Sequence, residues 1–120
     1  MLDSIIGRFA ENPSLGLVFP DDPHLSDWGW NLQTATELAH RMGIADPLPP
    51  LFNFPIEAMF WARVDALKPL FDLKLSWADY PTEPVAIDGT VLHAIERLLP
   101  FVARHDGFNY ATTHIPGVTW

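Results

Sequence analysis

Asp88-Gly89-Thr90-Val91-Leu92-His93-Ala94-Ile95-Glu96-Arg97-Leu98-Leu99 is the stretch around which the rest of the chain is organised. Val91, Leu92, Ile95, Leu98, Leu99 and, further on, Val102 recur at the 3.6-residue period, which predicts a helix with one buried face. His93, Glu96 and Arg97 fall on its polar side at spacings of three and four, close enough to touch. Asp88-Gly89-Thr90 suits a helix start: an acid there meets unpaired N–H groups and the positive end of the helix dipole. Glu83, between Pro81 and Pro84, is a second acidic position just upstream. Both sets also have plain readings, Asp88 as a cap without chemistry and the polar trio as ordinary helix pairs.

After this helix, Pro100 is a point of kinking or restarting, and His105-Asp106-Gly107 ends it. The alternation from Phe108 to Ile115 predicts a final strand. Before the helix, Leu73 to Pro84 has no period and reads as a structured loop, preceded by a short helix carrying Val64, Leu67, Leu70 and Phe71. Pro69 limits that helix and Asp65 lies in its first turn. Leu51–Phe54 and Ala58–Ala62 read as extended, mostly buried segments broken at Pro55, with Arg63 closing the second. Asp46-Pro47-Leu48-Pro49-Pro50 is a stiff linker.

Another helix is expected from a cap at Ser26 or Asp27 to about Met42, with an apolar face of Trp28, Leu32, Ala35, Leu38 or Ala39, and Met42. Gly43 fits the left-handed position after it, and Ile44 folds back as its apolar partner. Trp28 belongs in the core, whereas Trp30 is open between core and an exposed platform able to stack on a sugar ring. Leu15–Phe19 reads as a buried strand ending at Pro20, and Leu2, Ile5, Ile6 and Phe9 as the buried face of a first helix stopped at Asn12-Pro13. In the loop Asp21-Asp22-Pro23-His24, carboxylate and imidazole suit a metal, but a solvated turn is the commoner use of such residues. Together these segments predict one domain over residues 1–120, α/β or α+β, with about four helices on a small mixed sheet.

Composition narrows the function classes. A chain of 120 residues, 48% hydrophobic with five Trp and eight Phe, holds a real core, and its twelve prolines break it often. A net charge of −8 disfavours general attraction to nucleic acid or anionic lipid. With no cysteine, disulfides, thiol catalysis and thiolate zinc sites are excluded. No apolar run reaches the roughly 18–20 residues of a membrane span, and the opening Met-Leu-Asp-Ser-Ile-Ile-Gly-Arg lacks the pattern of a secretion signal. The phosphate loop, the dinucleotide fingerprint, H-E-x-x-H and the G-x-S-x-G elbow are all missing, and the five histidines have no metal-ligand spacing.

Phe54-Pro55-Ile56-Glu57-Ala58-Met59-Phe60-Trp61-Ala62-Arg63, followed by Ala66-Leu67-Lys68-Pro69-Leu70, resembles the rhamnan synthesis F family. Pro81-Thr82-Glu83, Asp88-Gly89-Thr90 and His93-Ala94-Ile95-Glu96-Arg97-Leu98 extend the resemblance, as do Leu15-Gly16-Leu17 and Trp30-Asn31, so that it covers nearly the whole chain. One departure is that Glu57-Ala58 stands where the family has a small, glycine-containing pair before Met59, a place where glycine would let a ligand approach closely.

The resemblance implies a part in building rhamnose-containing cell-wall or lipopolysaccharide polymers, with the fold of the C-terminal half of a Rossmann-like glycosyltransferase. It implies a nucleotide sugar and a glycan acceptor as partners, no nucleic acid, and a cytoplasmic location that allows peripheral association with the inner face of the membrane. Asp88 is the position matching the acceptor base, with Glu83 as substitute; His93, Glu96 and Arg97 would then orient that base or face the leaving phosphate, and Trp61, whose plain reading is core, would line the sugar site, which makes these four the expected substrate-binding residues. The nucleotide-binding half of such enzymes commonly holds a divalent metal through Asp-x-Asp, and this chain has no such triplet. Hence no cofactor or metal is expected within it, and it is expected to be a piece of a longer enzyme or a protein that kept the acceptor half alone. The alternative is a non-catalytic module binding a glycan or a protein. An apolar face left by missing strands would favour self-association.

Overall fold

The computed structural model describes residues 2–21, 25–55, 59–75 and 91–113. In chain order these form α1 (Leu2–Glu11), β1 (Leu15–Pro20), α2 (Leu32–Arg41), β2 (Trp61–Ala62), a 3-10 turn (Val64–Leu67), α3 (Lys68–Phe71), α4 (Val91–His105) and β3 (Asn109–Thr113). The sheet order is β2-β1-β3, with β2 antiparallel and β3 parallel to β1. The described residues therefore adopt an α/β fold of four helices and a small mixed sheet. None of the described helices is long and apolar enough to cross a membrane.

β1 is central and apolar throughout, because both of its faces are covered. Leu17 and Phe19 join Ala35, Leu38, Leu98 and Val102 in the main core; Val18, on the other face by the two-residue period, and Ile5 of α1 are buried outside that cluster. Gly16 lies where the β1–β3 register shifts, and a Cβ there would come within 2.6 Å of the Cβ atoms of both Ala66 and Phe108. Only glycine lets the 3-10 turn and the start of β3 approach the strand so closely. Arg63 ties the same corner together. Its Nε donates to the Leu15 carbonyl at 3.1 Å, and its Nη2 donates to the carbonyls of Phe9 at 2.9 Å and Asn12 at 3.4 Å. It thereby satisfies carbonyls at the end of α1 that the helix itself leaves unpaired.

Both long inner helices leave by the same device. Ile44 N–H donates to the Ala39 carbonyl and Gly43 N–H to that of His40, with Gly43 at φ +85°. At the end of α4, Phe108 N–H donates to Ala103 and Gly107 N–H to Arg104, with Gly107 at φ +87°. These are Schellman exits, at the two glycines the sequence marks. α4 runs without interruption through Pro100, which is buried.

Several local expectations are corrected. α2 begins at Leu32, not after Ser26 or Asp27: Ser26 pairs in an isolated bridge with Phe52, and Asp27 accepts from Gly29 N–H in a tight turn. Trp28 is buried as expected, but from that turn, and Leu32 is exposed. On α1, Ile5 is 2% exposed while Ile6 is 56% exposed, since only one of two adjacent positions can face β1. The extended segment before Arg63 is reduced to the two residues of β2, and Phe52 contributes its bridge alone. Leu92, expected on the buried face of α4, is exposed, and with Val64 and Phe71 it borders a groove.

Candidate functional site

α4 presents three of the polar residues singled out in the sequence, and its geometry separates them, because successive residues turn by about 100° around the axis. Arg97 turns toward residues 27–31. Its Nε donates to the Asp27 carbonyl at 3.2 Å, its Nη1 reaches the His93 carbonyl at 3.5 Å, and its guanidinium carbon lies 4.7 Å from the centre of the Phe54 ring. Glu96 points elsewhere. With Phe60, Ala62, Leu67, Leu70 and Leu92 it lines an open groove of about 580 Å³ between α4 and the α3 corner. It is the one charged side chain among the described residues of that lining, and the rest is apolar. His93, half-buried, stands one turn before Arg97.

Trp61 pairs opposite Val18 on β2. Its neighbour Ala62 lines the groove, so strand alternation sends the Trp61 side chain to the opposite face. Arg97 and His93 are thus linked, Glu96 belongs to the groove, and Trp61 stands apart from it. Asp88 and Glu83 lie outside the described residues, as do Asp22, His24 and the Glu57-Ala58 pair. Asp21 directly follows β1, and its N–H donates to the Thr113 carbonyl at 2.7 Å, joining the ends of the two parallel strands.

The 27–31 turn that Arg97 holds is itself tightly built. The Asp27 Oδ1 accepts from Gly29 N–H at 3.0 Å, and Gly29 takes φ +55°. Trp28 is 4% exposed, donates from Nε1 to the Pro49 carbonyl at 2.7 Å, and packs its ring 4.2 Å from Phe52 and 5.6 Å from Phe101, centre to centre. Asn31 is fully buried and donates from Nδ2 to the Trp28 carbonyl at 2.9 Å. Between these two anchors Trp30 is 81% exposed. Sequence patterning could not decide Trp30, and it did not mark Asp27 as part of a site. The local signal was the Asp-x-Gly spacing, which admits a side-chain-closed turn as readily as a helix start.

Among the described residues no three His, Asp or Glu side chains come together as a metal-holding group.

The family described as rhamnan synthesis protein F matches residues 1–108. Over 114 residues the chain is 35% identical to the uncharacterized protein WxcX of Xanthomonas campestris pv. campestris strain B100, and equally to that of strain ATCC 33913. Each match covers 92% of this chain but 16% of the relative, so the chain spans about one sixth of the length of these curated proteins. No solved structure matches it significantly. A family match over most of the chain, agreeing with identity of this level along the same residues, settles the kinship: the chain belongs to the rhamnan synthesis protein F family.

Proposed function

We propose that this chain is a glycosyltransferase-related domain of cell-surface polysaccharide synthesis, in which Asp88 activates the glycan hydroxyl that receives a deoxyhexose from a nucleotide sugar. Family membership over residues 1–108 is the observation that carries this reading. A sugar hydroxyl is a weak nucleophile until a base accepts its proton, and an ionised carboxylate can do that work. As the hydroxyl oxygen bonds to the anomeric carbon, the bond from that carbon to the nucleotide's phosphate breaks and the nucleotide leaves. Glu83 is the substitute base, and Trp61, His93, Glu96 and Arg97 are the proposed substrate contacts. The reaction belongs in the cytoplasm, where nucleotide sugars are made, at or near the inner face of the membrane.

The test is transfer of a labelled deoxyhexose by the intact protein. Asp88→Asn should lower the rate by about 10²–10⁴-fold with an unchanged circular dichroism spectrum. Full activity in Asp88→Asn and in Glu83→Gln would refute the assignment. A second reading, a glycan- or protein-binding module without catalysis, is favoured by one feature: Arg97 is engaged with the Asp27 carbonyl and the Phe54 ring. Calorimetry separates the two, since saccharide binding without any nucleotide-sugar affinity supports the module.

A further inference from the structure

Trp30 is held out from the surface by a turn whose every neighbouring position is tied down. Trp28 and Asn31 are buried and hydrogen-bonded to Pro49 and Trp28 respectively, the Asp27 side chain closes on Gly29, and Arg97 fastens the Asp27 carbonyl from α4. Leaving most of an indole in water forgoes about 2–3 kcal/mol of burial, and the fold makes this sacrifice at a place where its backbone is well anchored. The backbone that carries the ring is anchored in this way, so little main-chain ordering entropy is lost when something stacks on it.

We propose that Trp30 is a stacking platform for a pyranose ring of the glycan, with the Asp27 carboxylate accepting hydrogen bonds from its hydroxyl groups. This rests on the glycan-related reading of the family but not on Asp88. The chemistry matches on both sides. A pyranose, and a deoxyhexose with its methyl group above all, offers a flat C–H face complementary to an indole. Its hydroxyl edge needs acceptors, and Asp27 is an exposed carboxylate three residues back on the same turn. An apolar protein partner would not use that carboxylate, which would be left desolvated beneath it.

The experiment follows the five tryptophan indole N–H signals of the 120-residue chain by nuclear magnetic resonance during titration with a rhamnose oligosaccharide. The Trp30 signal, assigned by its loss in Trp30→Phe, should shift, while that of Trp28, bonded to Pro49, should stay. Trp30→Ala should weaken binding about tenfold or more, Trp30→Phe less, and Asp27→Asn should also weaken it. No binding by the wild-type chain, or equal binding by Trp30→Ala, overturns the proposal. So does a Trp30→Ala variant whose sole change is loss of self-association in sedimentation. The outcome is separable from the catalytic assignment. Transfer lost in Asp88→Asn while Trp30→Ala binds the oligosaccharide as the wild type does would sink this inference alone, and full transfer in Asp88→Asn with binding weakened in Trp30→Ala would sink the catalytic assignment alone.

Discussion

Two arginines do similar work in different parts of the molecule, and the contrast between them separates a structural clamp from a site. Arg63 donates to three backbone carbonyls at the junction of α1 and β1, and its guanidinium lies 5.6 Å from the centre of the Phe9 ring. Arg97 reaches the Asp27 and His93 carbonyls at longer range and covers Phe54 at 4.7 Å. Planar, multi-donor guanidinium suits both places better than a lysine would. The difference is in what each one holds. Arg63 joins a helix end to the central strand, beside a glycine packed without room for a methyl group, and so serves the fold. Arg97 holds a turn that displays an exposed indole, and so serves the surface.

The first corner should therefore break hardest. Gly16→Ala places a Cβ against two other Cβ atoms, which cannot rotate away, and should cost about 3 kcal/mol in urea denaturation. A loss below a few tenths would mean that the sheet shifts freely at its bulge. Arg63→Ala should cost about 2 kcal/mol in the same assay, with Arg63→Lys recovering part of it. Arg97→Ala should cost about 1 kcal/mol while broadening or shifting the Trp30 indole signal. If Arg97→Ala proves the more damaging of the two arginine variants, the division into clamp and site is wrong.

Much of the helical structure was legible because its signals are local. The period of Leu98, Leu99 and Val102 fixed the buried side of α4, and Gly43 and Gly107 marked the exits from α2 and α4, each by hydrogen bonds spanning a single turn. The start of α2 was misplaced because Asp27 is equally suited to cap a helix and to close a turn on Gly29, and local pattern does not choose between them. Of the site, the reach of Arg97 to the main-chain carbonyl of His93 one turn earlier follows from helix spacing, yet the placing of Glu96 on an apolar groove and of Arg97 against a turn does not.

By itself the sequence determined a cysteine-free, acidic chain with an apolar central strand, two amphipathic inner helices and their glycine exits, and the motifs that tie it to its family. Only the tertiary structure decided that β3 lies parallel to β1 with β2 on the other side, that Arg63 reaches back 48 residues to Leu15, and that Arg97 reaches back 70 to Asp27. The physical reason is range. Helix period and capping arise from neighbours within a turn, whereas a guanidinium finds its carbonyls only after distant segments have packed, and side-chain spacing along the chain carries no record of that meeting.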